Sequence, residues 1–167
     1  MEEKFVATKK AGIYGMIGNI FLLMIKATIG LISKSQAMIA DSVNSAGDIF
    51  ASFMTFIGNR IASAPNDEDH NLGHGKAEYI FSMFISIAMI LVSAKLLFDS
   101  ISTLIVGSEL HFSWFLVAVC MATILTKLSL YLYTLKTYRK YNSILLEANM
   151  KDHRNDCIVT TFTLISV

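Results

Sequence analysis

Four oxygen-bearing residues interrupt the second long apolar stretch of the chain. They are spaced three, four and seven positions from the first, and they are Asp41, Asn44, Ser45 and Asp48. Because an α-helix has about 3.6 residues per turn, this spacing puts the side chains on one helix face. An ionisable side chain at membrane depth normally faces the bundle interior, where it marks an ion pathway or an ion pair. The stripe predicts oxygen ligands for a cation, although Asp48 alone could instead lock two helices by hydrogen bonds.

A second acidic pair lies near the end of the sequence. Asp152 and Asp156 are four positions apart, so their carboxylates share a helix face. If the two pairs lie on facing helices, they form a site of three carboxylates and one amide, and a divalent cation lets the acids stay ionised together. Without the cation, like charges in a low dielectric hold protons, so such a site can exchange metal for protons. The polar run 151–156 also fits a cytoplasmic amphipathic helix, and periodicity does not separate the two interpretations.

The loop after the second apolar stretch carries further metal-binding side chains. Asp67, His70 and His74 offer a carboxylate and two imidazoles at spacings of three and four. This donor set suits a borderline metal such as zinc. An ordinary solvated loop is the competing interpretation. The glycines on either side of His74 indicate a tight turn or a close backbone approach.

Membrane helices are the elements that must position these residues. With 54% hydrophobic residues and a net charge of +1, the chain is more apolar and less charged than a typical soluble domain. A bilayer core needs about 20 helical residues; four segments reach this length, and a fifth is unfinished at Val167. The predicted spans are residues 11–32, 37–62, 79–106, 112–135 and 143–167, after a cytoplasmic segment of residues 1–10. We expect an all-α, up-and-down transmembrane bundle.

Basic residues predict the orientation, because short cytoplasmic loops carry the excess of lysine and arginine. If the N-terminus is cytoplasmic, Lys34 is the only loop lysine or arginine that lies on the outer side of the membrane. The cations then placed in the cytoplasm are Lys4, Lys9, Lys10, Arg60, Lys76, Lys136, Arg139 and Lys140.

Three lysines lie within the predicted spans. Lys26, Lys95 and Lys127 can snorkel if they lie near a span end, and Asp99, four positions after Lys95, predicts an ion pair. We assign none of the three lysines a role in function.

The sequence also argues against other classes of protein. It contains no Gly-rich phosphate loop and no nucleophile motif, so an enzyme is not expected, and its net charge of +1 gives no reason to expect a nucleic-acid partner. Cys120 and Cys157 lie far apart in apolar stretches, which favours two small buried hydrophobes over a disulfide or metal ligands.

Three strings occur in an order that resembles the cation diffusion facilitator family. They are ADSVNSAGD at residues 40–48, HNLGHGKAE at residues 70–78 and DHRND at residues 152–156. The loop string is the most specific of them, and the match extends over all 167 residues. The resemblance implies a proton-driven exporter of divalent metal that works as a homodimer by alternating access. It also favours a membrane helix for residues 143–167.

The resemblance further implies which residues form the transport site. The family takes two residues, four apart, from each of the second and fifth helices, and here these are Asn44, Asp48, Asp152 and Asp156. Zinc-type members usually have histidine or aspartate at the first position of the second-helix pair and histidine at the first position of the fifth-helix pair. This sequence has Asn44 and Asp152 at those two positions. Carboxylate and carbonyl oxygens suit harder ions. The set is similar to the manganese branch, so we expect Mn²⁺ as cargo, with Fe²⁺ or Zn²⁺ as alternatives.

A second metal site at Asp67, His70 and His74 is also implied, as is a charge pair between subunits for Lys76. We interpret the chain as cut off within the fifth helix and lacking the sixth helix and the cytoplasmic C-terminal domain of the family. The expected location is a bacterial plasma membrane. A metal-binding membrane protein that does not transport is a second hypothesis, and a passive cation channel is a third.

Overall fold

The computed structural model describes residues 2–32, 36–65, 73–106 and 114–165, and these residues form five α-helices and no strand. In chain order the helices are α1 Glu2–Ile32, α2 Gln36–Ala62, α3 Ala77–Val106, α4 Trp114–Tyr141 and α5 Ile144–Ile165. The prediction of an all-α helical bundle is therefore confirmed.

Two helices, α1 and α4, extend well beyond the predicted spans. α1 already includes residues 2–10, which were expected to precede the first span; Glu2 and Glu3 in its first turn complement the helix dipole, and Thr8 is fully buried against the bundle. α4 continues past residue 135 to Tyr141. The residue that follows the helix, Asn142, has φ of 50°, the left-handed conformation typical of the position after a helix C-terminus.

Membrane-spanning character is strongest in α1, α3 and α4. Among the described residues, three helical segments are long and apolar enough to cross a bilayer, and they are Glu2–Ile32, Ala77–Asp99 and Trp114–Tyr141. Large apolar side chains such as Met24, Leu91 and Phe98 are more than 60% exposed on these helices. Such a surface suits contact with lipid. The acidic helices α2 and α5 do not reach the same apolarity, because polar residues interrupt them.

Helix packing brings α2 and α5 together. α1 packs along α2, α4 packs along α5, and α2 also contacts α3 and α5. A core cluster of Ala51, Ile85 and Leu145 forms where α2, α3 and α5 meet. Gly58 of α2 permits this approach, because a Cβ there would lie only 2.5 Å from Cβ of Phe81. The close packing of these three helices positions the acidic residues described next.

Candidate metal centre

Acidic side chains from two helices line one small cavity. Asp48 of α2 and both Asp152 and Asp156 of α5 contribute to its wall, and α3 closes the other side with apolar residues such as Met89 and Val92. The four-residue spacing on α5 places its two carboxylates on the same face, as the periodicity predicts. The structure thus brings together three of the four residues predicted to form the transport site.

Asn44 does not reach the same cavity. It lies one helical turn before Asp48 on α2 and is partly buried, but it is not among the described residues that line the cavity. Ser45 is fully buried, and its hydroxyl finds no hydrogen-bond partner in the described part of the chain. The polar stripe on α2 therefore contributes mainly Asp48 to the centre in this conformation.

Asp41 is engaged elsewhere. Its Oδ2 lies 2.9 Å from Nζ of Lys26, so the carboxylate forms an ion pair between α2 and α1. The expectation that Asp41 joins one continuous row of cation ligands is not met in this structure, because the buried lysine of α1 is its nearer counter-ion. Lys26 is correspondingly a buried lysine that pairs with a half-exposed acid, not a snorkelling residue.

Lys127 of α4 is the largest difference from the sequence-based expectation. Its Nζ donates to Oδ2 of Asp48 at 2.7 Å and to Oδ2 of Asp156 at 2.5 Å, and its side chain is only 1% exposed. The interpretation of Lys127 as a snorkelling residue unconnected with the site is therefore wrong. A lysine inside an apolar segment already signalled a need for acidic partners, but the sequence could not identify them.

His153 is a second residue that the sequence analysis overlooked. The ring is fully buried, and neither nitrogen has a hydrogen-bond partner within the described ranges. Ligand atoms of Asp152, His153 and Asp156 all lie within 4.8 Å of one another. Ligands at about 2.0–2.5 Å from one ion can lie up to about 4–5 Å apart, so these three could share a metal. A nitrogen donor thus lies beside a set predicted to offer only oxygen.

A side chain of α1 is hydrogen-bonded to the part of α2 that carries Asp48. Nδ2 of Asn19 donates to the backbone carbonyl of Asp48 at 3.0 Å and to Oγ of Ser52 at 3.2 Å. Gly15 leaves room for this contact, since a Cβ there would lie 2.6 Å from the same hydroxyl. The backbone that carries Asp48 is therefore held against α1 by a buried side chain that the sequence analysis did not single out.

The predicted loop site is only partly described. Asp67 and His70 lie outside the described residues, and His74 lies in the turn that precedes α3, where its carbonyl accepts a hydrogen bond from the amide of Ala77 at 2.9 Å. Gly73 has φ of 75°, which confirms the tight turn expected beside His74. Within the described ranges, no group of three metal-ligating side chains includes His74.

The other described residues discussed from the sequence lie outside the cavity lining. Lys76 is exposed at the start of α3. Lys95 pairs with Asp99 at 2.8 Å, as predicted from their spacing. Cys120 is buried, as expected of a small hydrophobe, whereas Cys157 is only half-buried.

Comparison with known proteins agrees with this arrangement. Residues 12–167 match the family model described as the cation efflux transmembrane domain. The chain is 31% identical over 159 residues to an uncharacterised transporter of Methanocaldococcus jannaschii, with 95% of the chain and 56% of that protein covered. It is 30% identical over 165 residues to the manganese efflux system protein MneP of Bacillus subtilis, covering 99% of the chain and 55% of MneP.

A further relative is the magnetosome protein MamM of Magnetospirillum gryphiswaldense. The identity is 33% over 153 residues, which cover 90% of the chain and 48% of MamM. The chain spans about half the length of these curated relatives.

Proposed function

Because the chain belongs to the cation efflux family, the cation diffusion facilitators that its motifs resemble, we propose that it forms the membrane part of a proton-coupled exporter of divalent metal. It is an integral membrane protein of a family of transporters. The observation that carries the proposal is the convergence of Asp48, Asp152 and Asp156 on one cavity. Three acids from two different helices can neutralise a divalent ion, and the relative motion of those helices can open its path.

Manganese is the proposed cargo. Asp48, Asp152 and Asp156 supply hard oxygen donors, and Asn44 would add a neutral amide oxygen if a small rotation of α2 brought it towards the cavity. Mn²⁺ is better served by oxygen donors than by nitrogen donors, because zinc outcompetes manganese at nitrogen-rich sites. The name of MneP, a manganese efflux protein, supports the same choice.

Proton exchange would drive the cycle. Three carboxylates share the site with a single ammonium, that of Lys127, so loss of a divalent cation leaves excess negative charge and favours proton uptake. We propose that metal enters from the cytoplasm, displaces protons from Asp48, Asp152 and Asp156, and leaves on the other side when protons return. We further propose that the protein works as a homodimer by alternating access. Its N-terminus would lie in the cytoplasm, and its membrane would be a bacterial plasma membrane. Lys76 would form its charge pair with the second subunit.

The test is ion flux into proteoliposomes that contain the full-length protein under an imposed pH gradient. Mn²⁺, Fe²⁺ and Zn²⁺ are compared for the wild type and Asp48→Ala, with Asp99→Asn as the control because that acid lies outside the cavity and is half-exposed. We expect manganese-preferring flux that depends on the pH gradient, is lost in Asp48→Ala and is retained in Asp99→Asn. Equal flux in Asp48→Ala and wild type would refute the site.

Zinc transport is the second candidate, and His153 is the observation that favours it. Its imidazole lies within the same 4.8 Å cluster as Asp152 and Asp156, and zinc favours imidazole nitrogen. Zinc-preferring flux in the same vesicles would keep the family function and replace the cargo. Binding of metal without flux would favour a membrane protein that holds metal and does not move it.

The loop site of Asp67, His70 and His74 remains a separate proposal. Replacing His70 and His74 together by alanine should remove one bound metal ion per chain, as measured by elemental analysis of the full-length protein, while the ion at Asp48 remains. An unchanged metal content would refute this second site.

A further inference from the structure

Lys127 places a positive charge where a cation ligand set has been proposed. The ammonium group has three N–H donors, and it uses two of them on Oδ2 of Asp48 and Oδ2 of Asp156. The lysine side chain is 1% exposed, whereas those of Asp48 and Asp156 are 13% and 29% exposed. The positive charge is therefore buried, whereas the two carboxylates that it contacts remain partly exposed.

The contacts of Lys127 compete directly with a metal ion. A divalent ion bound by these carboxylates would lie about 2.0–2.6 Å from their oxygens, which is close to the 2.7 Å and 2.5 Å that separate them from Nζ of Lys127. An ion that bridges these two oxygen atoms would therefore occupy nearly the same volume as the ammonium group of Lys127. Both cannot be present at once.

We propose that Lys127 is a tethered cation that, together with the returning protons, occupies the transport site between turnovers and must be displaced by the divalent ion. The inference rests on the proposed transport site at Asp48 and Asp156 and adds a residue that determines which ions enter it. In the empty site the ammonium holds the two acidic helices together through α4. When metal binds, the metal takes over those contacts and breaks the two ion pairs that join α4 to Asp48 of α2 and Asp156 of α5.

A second position for the displaced ammonium exists on the same helix. Thr123 lies one turn before Lys127, so their side chains share a helix face. The threonine side chain is buried, and its Oγ1 has no hydrogen-bond partner among the described residues. A hydroxyl oxygen can accept from an ammonium. Lys127 can therefore leave the carboxylates and still find a polar partner on its own helix.

This arrangement discriminates by charge. A monovalent ion offers Asp48 and Asp156 the same charge as the ammonium, but it also loses its own translational freedom on binding, whereas the lysine is already attached. A divalent ion doubles the attraction to each carboxylate. Lys127 thus excludes monovalent cations and admits divalent ones at some loss of affinity.

Equilibrium binding of Mn²⁺ to the full-length protein, measured by titration calorimetry in detergent, tests the proposal. Lys127→Gln removes the competing charge and should bind Mn²⁺ at least about tenfold more tightly than wild type. Lys127→Arg keeps the charge in a planar fork that fits carboxylates and should bind more weakly than Lys127→Gln. Lys95→Gln is the matched control, since it breaks an ion pair of α3 outside the cavity and should leave the affinity unchanged.

The wild-type protein provides a measurement that needs no variant to fold. Acylation of lysines by a membrane-permeant reagent, followed by peptide mass spectrometry, should show that Lys127 becomes more reactive with saturating Mn²⁺ while Lys95 does not. Unchanged labelling of Lys127, or no gain of affinity in Lys127→Gln, overturns the tethered-cation role. After such a negative result, Asp48→Ala shows how far the failure extends. If this variant binds Mn²⁺ as well as wild type, the transport site itself is refuted. If it loses Mn²⁺ binding, the transport site stands and only the role of Lys127 is refuted.

Discussion

The side chain of Asn19 donates a hydrogen bond to the backbone carbonyl of Asp48 at 3.0 Å, so α1 holds the residue that α2 contributes to the metal centre. The same amide reaches Oγ of Ser52, one turn further along α2. Asn19 is fully buried. The position of Asp48 therefore depends on a helix that contributes no carboxylate to the cavity.

Replacing Asn19 by alanine should loosen this support. Loss of a buried hydrogen-bonding side chain typically costs about 1–3 kcal/mol, so we expect a lower thermal unfolding temperature and weaker Mn²⁺ binding in Asn19→Ala. Ser129→Ala is the control, because its hydroxyl is exposed and donates to the carbonyl of Leu125 on its own helix. Thermal unfolding in detergent and calorimetric titration measure the two effects. Equal stability of the two variants would contradict the role of Asn19.

The close contact between α1 and α2 gives a second prediction. A Cβ at Gly12 would lie 3.1 Å from the backbone nitrogen of Phe56 and 3.2 Å from the carbonyl oxygen of Ser52. Backbone atoms cannot move aside as a side chain can, so Gly12→Ala should separate the helices and destabilise the protein by about 1–3 kcal/mol. Gly75→Ala is the matched control, since no atom lies within 4 Å of its Cβ position. Thermal unfolding of both variants in detergent provides the comparison.

Glu78 joins three helices at one end of the bundle. Its Oε1 pairs with Nζ of Lys4 at 2.7 Å, and its Oε2 accepts a hydrogen bond from Ser143 at 3.3 Å. The glutamate is buried but Lys4 is partly exposed, so Glu78→Gln should cost about 1–3 kcal/mol by weakening both contacts. The exposed pair of Glu147 and Lys151 gives the control, because Glu147→Gln should cost no more than about 1 kcal/mol. Similar losses in both variants, measured by thermal unfolding, would contradict this prediction.

Helical periodicity was sufficient to predict which acids share a face, because that relation depends only on residues within one helix. The convergence of Asp152 and Asp156 on a single cavity with Asp48 required the family resemblance as well. The spacing alone failed for Asp41, whose partner Lys26 comes from α1. It also missed Lys127, which lies 79 positions from Asp48. Contacts between helices depend on how each helix is rotated, and the apolar pattern of a membrane helix specifies that rotation weakly, since lipid and neighbouring helices both accept apolar faces.

His153 offers the sharpest test of cargo choice. Its buried ring lies beside Asp152, with 4.0 Å between Nδ1 and the nearer carboxylate oxygen. If oxygen atoms alone hold Mn²⁺, His153→Gln should leave Mn²⁺ affinity within about threefold of wild type. Imidazole nitrogen is a preferred zinc ligand, so the same variant should weaken Zn²⁺ binding by about tenfold or more, equivalent to about 1.4 kcal/mol.

Competitive titration of the full-length protein with the two ions measures this difference. Asn155→Gln is the control, because Asn155 also lines the cavity but offers no imidazole, and it should not separate the two metals. A large loss of Mn²⁺ affinity in His153→Gln would make the imidazole a ligand of the cargo ion itself. The all-oxygen basis for choosing manganese would then be lost, and zinc would become the better candidate.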